Sequence, residues 1–588
     1  MSLKLKPAGK LLIIAAVVAA GILSVKWYQA RPKDVIRAVE LGKVSLPDAA
    51  EASLNGNAVQ LSLPSDANAV NGGTPITWER MAWNSQFSGM YANGSVRTAK
   101  GSLFDKAHLD VTYIRQDDCN KQMADLVKFA GAYKTNPNTP AVLITFMGDG
   151  MPAFMTSLAK ELESLGQEYQ PIILPIAHGK SYGEDQVMGP VSWKQDPQNA
   201  IGKCVAGVLR DGDVNILLKW AGDNGIKINP DETTYDPAAI NLIAANDFLD
   251  APNKYIAGYT EHRKIVLNGK TTGRDTTVGV DAVATWTPGD VNVATKKGGL
   301  VTIANTRQYA SQMPNQTIAI KKWAYDHRTD VENMIIALAE AGDQVRSFSG
   351  AKKFAAEVSA KVYQEQNADY WLRYYNGVEE KDIQGQKVSL GGSAVFNLSD
   401  MANTYGLGND KIDRYKAVYN TFGNLMVKMY PAIMPSFIPY EKAVDKSFLL
   451  SVLANHAELL EGKAIETKYA DRITEAVSSK SYHIEFETGS ATIRPSSFKL
   501  LDEIFESAVV AEGLKLGVNG HTDNSGTDAV NIPLSEKRAA AVKDYLVRKG
   551  LKEGRMEVRG LGSARPVADN GTADGRSKNR RVEIVLGE

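Results

Sequence analysis

Gly520-His521-Thr522-Asp523-Asn524-Ser525-Gly526, followed by Asn531, Leu534-Ser535 and Arg538 and later by Gly575-Arg576-Ser577-Lys578-Asn579-Arg580-Arg581, is the stretch that organises this chain. The apolar run Leu516-Gly517-Val518 precedes it and reads as a strand. A helical pattern over 533–549 follows, placing Arg538 in its first turn. A short acidic loop therefore faces a basic helix start. That pairing suits a ligand carrying an ammonium and a carboxylate side by side.

The neighbouring segments complete a small α/β sandwich over residues 480–588. Tyr482 to Phe486 alternates as a strand, Ala491 to Ser507 leads into a helix with Pro495 near its start, and strands are expected at 555–559 and Arg580 to Leu586. With Phe486, Gly489, Gly526, Gly560-Leu561-Gly562, Pro566, Asn570 and Asn579-Arg580-Arg581-Val582 in order, the segment resembles the OmpA-like peptidoglycan-binding domain. That domain is shared by outer-membrane anchors, lipoproteins of the Pal type and flagellar stator proteins of the MotB type. The resemblance implies binding of the diaminopimelate of the wall stem peptide. Asp523 would accept the ligand's ammonium and Arg538 would grip its carboxylate. Thr522 and Asn531 would complete the hydrogen bonds. Arg580 and Arg581 read either as part of that site or as a salt bridge closing the last strand, and the second reading is preferred. His521 reads as structural.

Upstream, strand-like and helical runs alternate from Ile76 onward. Strands are expected at His108 to Ile114, Ala141 to Phe146, Gln170 to Ile176, Cys204 to Val208 and Val278 to Trp286, with helices between them. Such alternation predicts parallel α/β sheets, which bind ligands beyond the carboxyl ends of their strands. The pieces Trp83-Asn84, His178 to Asp185, Ile201-Gly202-Lys203 and Gly279 to Pro288 resemble type II periplasmic solute-binding proteins of ABC transporters. The resemblance implies two lobes, a hinge and a small ligand in the cleft. Candidate cleft residues are Trp83, Asn84, Gly148, Asp149, Tyr182, Asp211 and Trp286. The aspartates are either N-caps or partners of a cationic ligand, for which the aromatic rings offer faces. The domain is drawn as 75–455, its later part mostly helical, with a connector at 456–479.

The first residues carry Lys4, Lys6 and Lys10, then an uncharged apolar run from Leu11 to Val25, closed by Lys26-Trp27-Tyr28. Basic flank, apolar core and aromatic belt predict an uncleaved signal anchor over 1–28, a single transmembrane helix, with a removed signal peptide as the alternative; either way the bulk of the chain is expected in the periplasm. Residues 29–74 are rich in Ala, Asn, Ser, Pro and Gly and read as a flexible linker.

The 588 residues exceed one ordinary core, and net charge is zero, which gives no bulk attraction to nucleic acid. The two cysteines, Cys119 and Cys204, lack metal-site spacing, and a disulfide between them is left open. Seven scattered histidines and no nucleophile beside a base give no catalytic cluster, no metal site and no cofactor. Two readings remain. In one, the chain is a wall-tethered binding protein. In the other, it is a stator-like or structural link between an inner-membrane complex and peptidoglycan. Stator proteins carry an Asp in their span. None lies between Leu11 and Val25, which favours the tether.

Overall fold

The structure is a computed structural model that describes residues 61, 63–209 and 212–588. The expected signal anchor, most of the linker and Asp211 lie outside the described residues. Among the described residues no helix is long and apolar enough to cross a membrane.

Two five-stranded sheets form the middle of the chain. In space the first runs Asp110–Arg115, Pro75–Arg80, Ala141–Met147, Asn315–Ile320, Pro171–Leu174. Asn315–Ile320 alone is antiparallel to both its neighbours. The second runs Val301–Asn305, Gln186–Gly189, Ala282–Thr285, Cys204–Gly207, Asn241–Ala244, and here Gln186–Gly189 is the antiparallel strand. The sheets therefore exchange one reversed strand each, and the chain passes between them twice, at 175–185 and 306–314. Both passages are buried: Glu184, Asp185, Thr306 and Gln312 are fully covered. These strands read as continuous apolar runs because helices cover both faces of each sheet.

The later helical part packs on the first sheet's side. The helix Arg328–Ser347 contacts Phe87–Asn93, Ser349–Tyr363 and Ser447–Asn455. A short strand, Ser393–Val395, pairs with Gly179–Ser181 inside the first passage. Cys204 lies buried in the second sheet and Cys119 opens a helix that packs on the first; no disulfide joins them.

The C-terminal sheet has the order Ala476–Tyr482, Val582–Gly587, Lys515–Gly520, Met556–Gly560. Lys515–Gly520 and Met556–Gly560 are parallel, joined through the helix Asp528–Arg548. That helix buries Asn531, Ser535, Ala539, Val542 and Leu546, a stripe at helical spacing. It begins at Asp528, five residues before the expected start. Pro533 resembles a first-turn proline but sits inside the helix. The first strand also shifts. It occupies Ala476–Tyr482, held by backbone pairing to Val582–Gly587, whereas 483–486 contributes one bridge between Phe486 and Ile493.

This sandwich is docked on the middle of the chain. Helix Phe498–Val510 lies against helix Arg414–Met429. Arg414 binds Glu512 through Nε and Nη2 at 2.9–3.1 Å and Asp410 at 2.6 Å. Lys219, paired with Asp223, donates to Ser507 Oγ at 2.9 Å. Gln308 donates to Glu588 at 2.8 Å, and Gly513 N to Gln308 O at 3.0 Å. The contacts thus reach the second sheet's helix Gly212–Asp223, the second passage and the helical part. Gly513 permits the approach, since a Cβ there would stand 1.9 Å from Arg307 O.

Burial by itself would raise the Glu512 carboxyl. The charge and hydrogen bonds of Arg414, with Lys180 and Ser311, outweigh it and hold the group down at about 2. A carboxyl depressed on folding adds stability above its unfolded value near 4.5 and loses it as pH falls toward 2. Thermal melts of the protein between pH 4.5 and 2 are expected to fall more steeply for the wild type than for Glu512→Gln. Parallel slopes would contradict this account.

Candidate functional site

The loop after Lys515–Gly520 holds the acid of the expected wall-binding set. Its backbone is fixed from three sides. His521 N donates to Arg581 O at 3.0 Å and Thr522 N to Gly562 O at 2.9 Å. Asn531 Nδ2 donates to Asp523 O at 3.2 Å and to Gly526 O at 3.0 Å. Asn531 is thus the stitch between the loop and the start of the helix, and it is buried. The strand and helix meet closely here: a Cβ on Gly520 would lie 2.0 Å from Ser535 O. Gly520→Ala must push a backbone away, and a loss of several kcal/mol is expected. The check is the melting temperature of the protein; an unchanged value would show that the contact can relax.

Asp523 accepts from Ser525 N at 2.9 Å and pairs with Arg580 Nη1 at 2.6 Å. Burial works against its charge, but the Arg580 and Ser525 hydrogen bonds prevail and hold the carboxyl below its usual range. Arg538 stands ten residues into the helix, in its third turn rather than its first. Its Nε donates to Ser490 O at 3.0 Å, and its guanidinium lies over the Phe486 ring at 5.0 Å. Burial, then the charge of Arg580, holds its proton affinity down, while Asp523 acts the other way. The field of each of these three groups reaches the others. Thr522 is buried, and its hydroxyl has no hydrogen-bond partner among the described residues.

The preferred sequence reading of the arginine pair divides. Arg581 meets the sheet edge through neutral groups and not through the expected salt bridge, donating from Nε to Ser481 Oγ at 3.0 Å and from Nη2 to Arg565 O at 3.2 Å. Arg580 instead turns to Asp523 and leaves the strand alone. The two divide because neighbours at a strand entry point to opposite sides. His521 is buried with Nε2 3.6 Å from Glu583. The nearby His521 ring, then hydrogen bonds from Asn519 and Ser479, hold Glu583 at about 2 against its burial. The loop is thus braced from below by a second polar cluster.

The middle region gathers its expected residues differently. Trp83 donates to Asp185 at 3.3 Å and Trp286 to Ala82 O at 3.3 Å, so both indole N–H groups serve the contact between the two sheets. Asn84, Gly148 and Asp149 are buried in it, with Gln312 donating to Asp149 at 2.7 Å. Tyr182 has two cations of the chain near its ring, Lys180 and Arg307 at 5.2 and 5.6 Å from its centre. Of the described candidates, only Trp286 borders the groove between the sheets, a cavity of about 1070 Å³. Its wall includes Phe248, stacked on Trp286 at 4.2 Å, Phe146 stacked on Phe154 at 4.5 Å, and Met426 and Tyr430 from the helical part. Phe146 ends an apolar strand and Phe248 follows one, and ends of strands are where a ligand wall was to be sought.

Comparison with known proteins agrees with the C-terminal geometry. Residues 485–580 match the OmpA family and form an OmpA domain. The peptidoglycan-binding protein ArfA of Mycobacterium tuberculosis is 41% identical over 103 residues, 18% of this chain and 32% of the relative. Outer membrane protein A of Bordetella avium is 43% identical over 101 residues, 17% of this chain and 52% of the relative. The chain therefore spans only about a third to a half of these relatives. A solved structure, the periplasmic nitrate-binding protein NrtA from Synechocystis PCC 6803, aligns with 67% of this chain and 94% of its own at 10% identity and a TM-score of 0.44.

Proposed function

We propose that the chain is a cell-envelope protein that holds peptidoglycan through its OmpA domain and presents a two-lobed solute-binding-type domain beside it. The observation that supports this best is the trio Asp523, Arg538 and Arg580. One carboxylate and two guanidinium groups stand on a braced rim, a set suited to a zwitterion. The ligand's ammonium would take the place of Arg580 on Asp523, and its carboxylate would lie between Arg580 and Arg538. Thr522 Oγ1 and Asn531 would serve as the neighbouring polar groups. The diaminopimelate of a stem peptide fits this description. ArfA, named for peptidoglycan binding, is similar over the same segment.

In this reading the groove lined by Trp286 and Phe248 is the solute site, and the apolar run at Leu11 to Val25 anchors the chain in the inner membrane. The test is co-sedimentation of the protein with sacculi that contain diaminopimelate, and release by free diaminopimelate. A protein that stays in the supernatant would end the proposal.

A further inference from the structure

A second cavity, about 960 Å³, lies at the seam where the OmpA domain meets the first passage and the helical part. Its wall is highly charged. Arg414 is committed to Asp410 and Glu512, and Arg346 to Asp400 at 2.6 Å. Counted over the whole wall, the cations Lys180, Arg346, Arg414, Lys463, Lys468 and Lys552 exceed the acids Asp400, Asp410, Glu466 and Glu512 by two. The seam is therefore a positive basin in a chain of zero net charge.

Lys180 is the distinctive member. It belongs to the strand Gly179–Ser181 and is 8% exposed. Its ammonium has three donor hydrogens, and the acceptor it meets is Ala310 O at 2.6 Å. The charged groups that act on it, Glu512, Asp400 and Arg414, all border the cavity, so its head faces the same space. Burial depresses its proton affinity, and the charges of Glu512 and Asp400 offset this in part. Asn403 and Thr404 add polar groups nearby.

We infer that this seam is a binding site for a small multivalent anion, of the dicarboxylate or phosphate type, with Lys180 as its buried anchor and Lys468 and Lys552 at its rim. An anion there would accept the remaining Lys180 hydrogens and offset the lysine charge. It would bridge the first passage, the 463–469 segment and the OmpA domain. This site is separate from the Asp523 rim and does not rest on wall binding.

The experiment is titration calorimetry, with thermal melts, on the full chain. Citrate and inorganic phosphate are added separately against sodium chloride of equal ionic strength. Saturable binding with a raised melting temperature is expected for at least one of them, and the two arms show which chemistry the basin takes. Lys180→Met should weaken that binding at least tenfold. If Lys180→Met fails to melt cooperatively, the double variant Lys468→Glu with Lys552→Glu replaces it and must give the same loss. Absence of saturable binding by both anions would overturn the site. So would wild-type affinity in the variants.

Discussion

Asp523→Ala is expected to weaken retention of the protein on diaminopimelate-containing sacculi by roughly 10- to 100-fold, the value of one charge-assisted hydrogen bond of about 1.5–3 kcal/mol. The expectation follows from the rim itself. Asp523 is its one carboxylate, and without it Arg538 and Arg580 face each other with no neutralising charge. Arg538→Ala should cost a similar factor by removing the fork that meets a carboxylate in two parallel hydrogen bonds. Arg538→Lys should fall between, because an ammonium is a point charge. The C-terminal fold should survive both, since the Asn531 stitch is made to the backbone carbonyl of Asp523. Retention that persists in both alanine variants, with melting unchanged, would remove the site from this rim.

The second large effect concerns the docked interface. Arg414→Ala leaves Glu512 and Asp410 in a partly covered place without their cation. Loss of one partner from such a pair is expected to cost about 2–4 kcal/mol, chiefly the penalty of the stranded charge. The melt should separate into two transitions, with the OmpA domain released from the middle. Hydrogen exchange in helix Phe498–Val510 should rise. Adding Glu512→Leu should recover part of the loss, because the stranded charge goes as well. A single transition at the wild-type temperature would show that the apolar helix contact alone holds the domains.

Much of the OmpA domain is legible in the residues, because its loop signature and helix stripe are local. Helix limits and side-chain roles are less so. Pro533 resembles a helix start, and only the packing of Asn531 beneath the loop shows that the helix begins earlier. Arg580 and Arg581 are identical in chemistry, and their division depends on which side of a strand entry each faces. In the middle region half of the strands of the two sheets are legible as apolar runs; Pro75–Arg80, Asn241–Ala244, Val301–Asn305 and the two reversed strands Gln186–Gly189 and Asn315–Ile320 are not. The hairpin Thr260–Leu267 and Lys270–Gly279 was not read, although Asn268-Gly269 between its strands is a strong two-residue turn signal. Trp83 and Trp286 drew attention as rings, yet the nearness of the two sheets turns their N–H groups inward. That fact belongs to the tertiary contact and has no trace in spacing.

The seat of Gly513 against Arg307 and Gln308 has one more meaning. It fixes an angle. Were the OmpA domain hung on a slack chain, a grip on the wall would leave the groove free to face any direction. Here the grip is a bracket. Peptidoglycan held at Asp523 would set which way the Trp286 groove looks, and a force on the wall would pass into the middle of the chain through Arg307, Lys219 and Arg414 together.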